Sequence, residues 1–375
     1  MEKRDFIKNL FVMGVAAVAM PRLYASESMS NFKSIKHNGM IKARYFEELP
    51  DGSVKCRLCP HACILRNGQS GICRTRINEG GVLYTMAYGN PVAVHIDPIE
   101  KKPLYHFLPS SKVLSFGTAG CNFRCLNCQN ADISQAAPND VSALDYSPEK
   151  VVKTAREHSV DGIAFTYTEP TVFFEYMYDT AFLAQKAGIK TLMISNGYIN
   201  QEPLKDLVGV MDAFNIDLKS FNDSTYKTLC NGSLQPVLDT IKTIRDSGKW
   251  LEITNLMVTA YTDKTDEFSQ MISWLIENDF TEVPLHISRF FPAHKLLDSQ
   301  PTNPAVIEQA FHMATSAGMK YVYTGNIRNE AHENTQCPDC GNLLVKREGY
   351  TTKVSGMTEN KCNKCGRIIP GVWIK

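Results

Sequence analysis

Three cysteines at positions 121, 125 and 128 form a C-x3-C-x2-C motif, which follows the apolar run 113–116 and the small-residue turn 117–120. Iron-sulfur clusters are normally held by four cysteine thiolates. Three closely spaced thiolates can bind three irons of a cubane and leave the fourth iron open, as a catalytic zinc keeps one position open. Cys121, Cys125 and Cys128 therefore indicate a [4Fe-4S] cluster that takes part in chemistry. A zinc knuckle and half of a disulfide framework are the alternatives.

A second group of cysteines lies near the C-terminus, where Cys337-Pro-Asp-Cys340-Gly and Cys362-Asn-Lys-Cys365-Gly form two C-x2-C pairs separated by 21 residues. The glycine after each pair permits a tight turn, and two such turns predict a tetrahedral four-cysteine, zinc-ribbon-like module. Zinc is the expected metal, with rubredoxin-like iron as the alternative. A segment this short cannot build its own core, so we expect the metal to supply its folding energy in a structural role.

A third group, Cys56, Cys59, Cys63 and Cys73, has the less regular spacing C-x2-C-x3-C-x9-C. It is consistent with a structural zinc site, with an auxiliary cluster that relays electrons, or with two disulfides in an exported protein. C-x2-C spacing favours a metal, and the sequence does not choose between zinc and iron-sulfur. Cys230 stands apart and is interpreted as an ordinary buried thiol.

The elements that position these cysteines follow an alternating pattern between Val113 and Thr324. Helix start signals, such as Ser147-Pro148, separate short β-rich runs. One helix is expected over 171–187, and another starts at Asn303-Pro304 and ends at Gly318. This alternation predicts an α/β fold with a parallel sheet, in the form of a partial (β/α) TIM-like barrel. The predicted strands are 113–117, 162–167, 190–195, 212–217, 250–257, 283–288 and 320–325.

Polar residues cluster at the predicted strand ends, where barrel enzymes carry their active sites. One such residue alone would more often be a cap or a solvated loop side chain, but the complete set indicates a lined cavity. The residues concerned are Glu169, Asn196, Asp217, Lys219, Glu252, Asn255, His286 and Asn326.

Composition adds limits. The chain has 375 residues, a formal net charge of +1 and 43% apolar residues, so it carries no strong nucleic-acid signal. We predict an N-terminal extension (1–26), a Cys-rich region (27–110), a barrel core (111–328) and the four-cysteine module (329–375). The extension joins Lys3-Arg4 to a ten-residue apolar run that is too short to span a bilayer. It resembles a twin-arginine export signal, which suggests the cell envelope, whereas an uncleaved N-terminal helix and a cytoplasmic location are the alternative.

Together, these motifs resemble the radical S-adenosylmethionine (SAM) superfamily. Within it, the chain resembles the branch that activates pyruvate formate-lyase and, more strongly, the radical SAM member of the AmmeMemoRadiSam system. The resemblance runs from Cys56 to the C-terminus, and beyond the three cysteine groups it rests on further motifs in the expected order. These are Ile99-Glu-Lys-Lys-Pro-Leu-Tyr-His-Phe107, Tyr167-Thr-Glu-Pro170, Ser195-Asn-Gly-Tyr198, Asp217-Leu-Lys219, His286-Ile-Ser-Arg-Phe290 and Tyr323-Thr-Gly-Asn326.

The resemblance implies cofactors and roles. Cys121, Cys125 and Cys128 would ligate the [4Fe-4S] cluster, and Glu169 would accept a hydrogen bond from the methionyl ammonium of SAM. Asn196 would lie near the ribose or carboxylate, and Asp217 and Lys219 would help to hold SAM and substrate. His286 lies where the activating enzymes also carry a histidine. Lys219 and His286 are the candidate catalytic residues. Asn127 stands where the family usually has an aromatic residue against the adenine, so adenine packing is expected from another residue such as Phe123.

The implied activity is reductive cleavage of SAM to a 5'-deoxyadenosyl radical that abstracts hydrogen from a substrate. The likeness to activating enzymes suggests a glycine in a partner protein as the target, and a flavodoxin- or ferredoxin-type protein as the electron donor. Modification of a small molecule, peptide or RNA is the alternative. A non-catalytic iron-sulfur electron carrier is a third hypothesis, and such a protein would have no need of Glu169, Asn196 or Asp217.

Overall fold

The structure is a computed structural model that describes residues 40–327 and 332–373. The predicted export signal lies outside these residues. Within the described ranges, no helix has the length and apolarity needed to cross a membrane.

The first described region carries the N-terminal cysteines on short antiparallel strands. One three-stranded sheet has the order β1-β6-β5 and another has the order β2-β3-β4. Cys56 is the last residue of β3, so this small sheet fixes the start of the cysteine group. The strands are β1 (Ile41–Lys42), β2 (Phe46–Glu48), β3 (Val54–Cys56), β4 (Ile64–Leu65), β5 (Arg76–Glu79) and β6 (Val82–Thr85).

A central sheet of eight strands follows, in the sequential order β14 to β7. Each strand from β8 to β14 pairs in parallel with the next, and β7 adds an antiparallel edge against β8. The predicted α/β class with a central parallel sheet, in the open order of a partial barrel, is therefore confirmed. The strands are β7 (Ala93–Pro98), β8 (Lys112–Gly117), β9 (Gly162–Phe165), β10 (Lys190–Ser195), β11 (Ala213–Asp217), β12 (Trp250–Met257), β13 (Leu285–Arg289) and β14 (Val322–Gly325).

Helices connect the parallel strands, and their starts agree with the sequence signals. The Ser147 hydroxyl accepts from the Lys150 amide, and the Asn303 side chain accepts from the Ala305 amide. The helix predicted over 171–187 instead begins as a 3-10 turn, Pro170–Phe173, and continues as an α-helix. The helices are α1 (Ala131–Ser134), α2 (Pro148–Glu157), α3 (Phe174–Lys186), α4 (Gln201–Val210), α5 (Asp223–Thr225), α6 (Gln235–Asp246), α7 (Thr265–Glu277) and α8 (Pro304–Ala317), with a π-helix at Tyr226–Cys230.

Alternate residues of the parallel strands point to opposite faces, as strand geometry requires. On β8, Leu114 and Phe116 join the large apolar core beneath the helices, whereas Val113 faces a smaller cluster on the other side. Leu104 and Phe107 pack into that smaller cluster. The segment 99–108 therefore fills one end of the barrel interior, and the polar strand ends lie at the other end.

The C-terminal region is built from short antiparallel strands that pack around Cys337, Cys362 and the barrel residues Tyr321 and Tyr323. The strands are β15 (Thr335–Gln336), β16 (Leu343–Glu348), β17 (Thr351–Val354), β18 (Met357–Thr358) and β19 (Lys361–Cys362). This region is thus anchored on the last barrel strand, β14.

Candidate active site

The C-x3-C-x2-C motif lies in the loop that follows β8. Gly120 adopts φ +95°, a left-handed conformation that glycine adopts without the strain of a Cβ. Two backbone bonds then fix the motif against the π-helix, since the amides of Arg124 and Leu126 donate to the carbonyls of Cys230 and Leu229. The loop is thereby held at the carboxyl end of the parallel strands.

The three thiols of the motif lie close enough for their charges to interact, and polar groups surround them. The amide of Phe123 donates to Cys121 Sγ at 3.3 Å, and the Ser134 hydroxyl lies 3.1 Å from Cys128 Sγ. Hydrogen bonds to sulfur are one of the means by which proteins tune iron-sulfur clusters. The donor set and its surroundings therefore fit a cluster with three protein ligands.

Cys230 is a fourth thiol at this place, which sequence reasoning missed. It is buried at the end of the π-helix and its side chain contacts that of Cys125. No spacing in the sequence links the two residues, because the contact depends on how the π-helix packs beneath the motif.

Glu169 follows β9 and precedes the 3-10 turn. Its buried carboxylate accepts from the Thr171 amide at 2.9 Å, the Ser195 hydroxyl at 2.7 Å and the Asn196 amide at 2.8 Å. Burial raises the pKa of Glu169, while these hydrogen bonds favour the ionised form. A carboxylate offers about four acceptor positions, so one remains for a further donor. A cationic donor there would also relieve the cost of a buried negative charge.

Asn196 lies between Glu169 and the cysteine loop. Its Nδ2 donates to Asn122 Oδ1 at 2.8 Å and lies 4.0 Å from Cys121 Sγ, while its Oδ1 accepts from the Tyr198 amide at 2.9 Å. The structure therefore brings together Cys121, Glu169 and Asn196, which the sequence places far apart.

Asp217 and Lys219 form an ion pair at the end of β11, with Nζ and Oδ2 2.9 Å apart. Burial opposes the charge on Lys219, but Asp217 and the thiols of Cys125 and Cys230 raise its pKa well above the usual value. Lys219 is therefore a cation beside the cysteine motif, where it can stabilise anionic sulfur.

His286 lies elsewhere, near the start of β13. Its Nε2 donates to Glu252 Oε2 at 2.6 Å, and its ring packs against Tyr105 and Tyr323. Glu252 also accepts from the amides of Tyr105 and His106, which belong to the segment that fills the barrel interior. Burial works against ionisation of Glu252, yet the bonds from His286 and its neighbours hold its pKa below the usual range. These contacts place His286 against the segment 99–108, which forms the floor of the barrel.

The floor continues into the C-terminal region. His106 Nδ1 donates to the Pro370 carbonyl at 2.8 Å, so its Nε2 accepts from the Tyr323 hydroxyl at 2.6 Å. That hydroxyl in turn lies 2.8 Å from Thr335 Oγ1, which accepts from Arg347. Burial lowers the pKa of His106 to about 4, so the chain of bonds contains the neutral imidazole.

Phe123 does not fit the expectation that it packs on the adenine of SAM. It is completely buried, and its ring contacts Tyr198 and Tyr226. A Cβ added at Gly232 would lie 2.3 Å from the Phe123 ring, which shows how tightly the ring is enclosed. Phe123 is therefore a core residue that supports the cysteine loop from behind.

A cavity of about 960 Å3 opens beside the last two parallel strands. The cysteine motif does not line it. The ends of β13 and β14 form one wall, the segment 100–105 forms another, and Tyr350 of the C-terminal region forms part of the rim. Charged residues of both signs line it, namely Glu100, Lys101, Arg289, Glu308 and Glu333.

The C-terminal cysteines converge as the spacing predicts. The ligand atoms of Cys337, Cys340, Cys362 and Cys365 all lie within 4.8 Å of one another, a geometry that allows one metal ion to be bound. Among the residues that the structure describes, these four cysteines are the one group of three or more His, Cys, Asp or Glu side chains whose ligand atoms lie this close together. All twelve cysteines of the chain are free thiols in the structure.

The N-terminal cysteines also converge. Cys56, Cys59, Cys63 and Cys73 line one small cavity together with Arg76 and Asn122. Their sulfurs do not form a group of the compact kind found at the C-terminus.

Comparison with known proteins identifies the family that the site-bearing part of the chain resembles. A family model described as the radical SAM superfamily matches residues 116–275. An uncharacterized protein of Methanocaldococcus jannaschii is 44% identical over 332 residues, which cover 88% of this chain and 99% of that protein. The pyruvate formate-lyase-activating enzyme of Listeria monocytogenes is 24% identical over 160 residues, covering 40% of this chain and 64% of the enzyme. Among solved structures, SuiB of Streptococcus suis bound to its precursor peptide SuiA has a TM-score of 0.46 at 13% identity, covering 61% of this chain and 51% of SuiB.

Proposed function

Because the chain belongs to the radical SAM superfamily of enzymes, we propose that Cys121, Cys125 and Cys128 bind the [4Fe-4S] cluster that this chemistry requires. When bound, the cluster supplies one electron for the reductive cleavage of SAM into methionine and a 5'-deoxyadenosyl radical. The observation that supports this assignment best is the convergence of Cys121, Glu169 and Asn196 at the carboxyl ends of β8, β9 and β10.

Glu169 is proposed to hold the methionyl ammonium of SAM. Its carboxylate is oriented by three donors and keeps one acceptor position. A charge-assisted hydrogen bond is about twice as strong as a neutral one, so a buried carboxylate selects a cationic donor. Asn196, which links Glu169 to the cysteine loop, is proposed to face the ribose or carboxylate of SAM.

Lys219 is proposed to act at the cluster, where its ammonium group offsets the negative charge of the thiolates, and Asp217 fixes its position. A catalytic role for His286 stays a prediction. Its contacts with Glu252 support a positioning role, in which it holds the floor against which a substrate packs.

The hydrogen that the radical abstracts is proposed to come from a substrate in the cavity beside β13 and β14. A glycine of a partner protein is the target suggested by similarity to an activating enzyme. The cavity favours a second candidate, a polar small molecule, because about 960 Å3 lies within the size range of small-molecule sites. A C-terminal zinc ion and a flavodoxin- or ferredoxin-type donor complete the proposal.

Deuterium transfer separates the two targets. Extract of the producing organism, grown in deuterated medium, is divided into a protein fraction and a small-molecule fraction. Each is incubated anaerobically with the reconstituted enzyme, SAM and dithionite, and 5'-deoxyadenosine is analysed by mass spectrometry. Deuterium from the protein fraction alone supports the glycyl target, and deuterium from the small-molecule fraction alone supports the second candidate. Unlabelled 5'-deoxyadenosine from both fractions would contradict hydrogen abstraction from either class.

A further inference from the structure

We infer that Cys56, Cys59, Cys63 and Cys73 bind a second [4Fe-4S] cluster, which passes electrons to the cluster at Cys121, Cys125 and Cys128. The relay role rests on the proposed function, whereas the second cluster itself does not.

The first observation is that four cysteines surround one cavity. Cys56 ends β3, and its amide donates to the Cys63 carbonyl at 2.9 Å, which brings the two residues together. Gly71 completes the wall, since a Cβ added there would lie 3.7 Å from Cys73 Sγ and 3.8 Å from Cys63 Sγ. The other lining side chains are mainly apolar, among them Leu58, Leu65, Ile72 and Val172. Four thiols in a mainly apolar enclosure are the ligand set of a cubane cluster.

The second observation is the spacing of these sulfurs. Zinc-sulfur bonds of about 2.3 Å place the four sulfurs of a tetrahedral site about 3.8 Å apart. The C-terminal group meets this condition, with all four ligand atoms within 4.8 Å of one another. The N-terminal sulfurs line their cavity without forming such a group in the described residues. A cluster, in which each sulfur binds a different iron, suits the wider arrangement.

The third observation is an unused donor in the cavity wall. Arg76 is 1% exposed and lines the cavity. Its terminal nitrogens bind the Glu175 carboxylate and the Arg44 carbonyl, but its buried Nε–H has no partner. Buried polar groups in native structures are almost always hydrogen-bonded. A cysteinate or an inorganic sulfide in the cavity would accept this bond.

Two further arginines indicate that an anion belongs here. Arg74 follows Cys73 and its Nη1 is buried without a hydrogen-bond partner, and Arg124 lies between Cys121 and Cys125 in the chain. The acceptors of the Arg124 guanidinium are neutral, namely the side chain of Gln135 and the carbonyls of Ile72, Cys121 and Phe123. A cubane with four thiolates has a net negative charge that would balance both cations.

The two cysteine groups are in direct packing contact. A Cβ added at Gly120 would lie 2.6 Å from the Cys73 carbonyl oxygen, so only glycine permits this approach. His61, in the turn between Cys59 and Cys63, lies with Nε2 2.8 Å from the Asn122 carbonyl oxygen. Arg124 bonds to the carbonyls of both Cys121 and Ile72. Each contact joins a residue next to one group to a residue next to the other, which is a short path for an electron.

The relay transfers one electron at a time. A reduced low-potential donor of the flavodoxin or ferredoxin class loses one electron to the second cluster, whose formal charge falls from 2+ to 1+. That electron would then reduce the first cluster from 2+ to 1+ and return the second cluster to 2+. From the cluster that Cys121, Cys125 and Cys128 would hold, the electron would pass to SAM, whose carbon-sulfur bond would break to give methionine and the 5'-deoxyadenosyl radical. No proton is needed in the relay itself.

Iron analysis tests the cluster. In the full-length Cys121→Ala/Cys125→Ala/Cys128→Ala variant, reconstituted anaerobically, we expect about four irons and four sulfides per chain to remain. The dithionite-reduced sample should give a [4Fe-4S] paramagnetic resonance signal that SAM does not change. Adding Cys59→Ala and Cys63→Ala to this variant leaves only two of the four thiolates and should abolish the signal. Zinc in place of iron, or a triple variant without iron, would overturn the inference.

The relay is tested by comparing two reductants in Cys59→Ala/Cys63→Ala and the parent. We expect 5'-deoxyadenosine formation driven by reduced flavodoxin to be lost, while formation driven by dithionite is retained. Equal rates with flavodoxin, or loss with both reductants, would contradict the relay. If the parent itself cleaves no SAM with either reductant, the proposed function fails, while the iron content of the triple variant still decides the second cluster.

Discussion

Glu169→Gln removes the negative charge of the proposed SAM ligand while keeping its shape. The carboxylate accepts three hydrogen bonds, at 2.7 to 2.9 Å. An amide must turn its NH2 group toward at least one of these donors, which leaves a buried donor unpaired and lowers the free energy of unfolding by about 1–3 kcal/mol. The charge-assisted bond to the SAM ammonium is also lost. At about 1.5–3 kcal/mol, this raises the dissociation constant of SAM by about 10- to 150-fold.

Urea denaturation and equilibrium binding of SAM to the reconstituted protein measure the two effects separately. Glu252→Gln is the matched control, because Glu252 is also buried and accepts four hydrogen bonds, against three for Glu169, but lies in the floor of the barrel. We expect a similar loss of stability in this variant, with unchanged SAM affinity. Unchanged SAM affinity in Glu169→Gln, or equal loss of affinity in both variants, would refute the reasoning.

Three further predictions concern the surroundings of the site. The pKa of His106 is about 4 in the fold and about 6.5 when unfolded, so the unfolded chain binds more protons between these values and stability falls by about 3 kcal/mol from pH 7 to pH 4; denaturant titrations should show a smaller fall in His106→Gln. Chelators that strip zinc should unfold the C-terminal region as followed by hydrogen exchange, and Cys340→Ser should mimic this loss in metal analysis, whereas metal-independent protection would contradict it. Gly120→Ala should destabilise the protein more than Gly188→Ala, because both have positive φ but only Gly120 faces neighbouring atoms within 3 Å; equal unfolding free energies would contradict the docking described.

Much of the barrel could be predicted from the sequence because the β-rich runs of its strands and the start signals of its helices are both strong. The strands β8 to β14 lie where the β-rich runs predict them, and the caps at Ser147 and Asn303 form as expected. Strand β7 was missed because its His95 and Asp97 interrupt the apolar pattern of an edge strand. Edge strands carry weaker signals, since only one side needs a partner.

The site was harder to predict where contacts are long-range. The strand-end rule brings Glu169 and Asn196 to the cysteine loop, because parallel strands place their carboxyl ends along one edge. The same rule suggested His286, which instead lies near the start of β13 and pairs with Glu252. The predicted strand 283–288 begins two residues before the observed strand, Leu285–Arg289, and ends one residue before it, which moves His286 from the end of the strand towards its start. Cys230 gave no signal at all, because its contact with Cys125 depends on a π-helix that no sequence period indicates.

Reductive cleavage of SAM is the most direct test of the central claim, that Cys121, Cys125 and Cys128 support radical chemistry. The protein is reconstituted anaerobically with iron and sulfide, reduced with dithionite and mixed with SAM, and 5'-deoxyadenosine and methionine are quantified. We predict that the parent forms both products in equal amounts and that Cys125→Ala forms neither. Absence of both products from the parent, or equal formation by Cys125→Ala, would contradict the account.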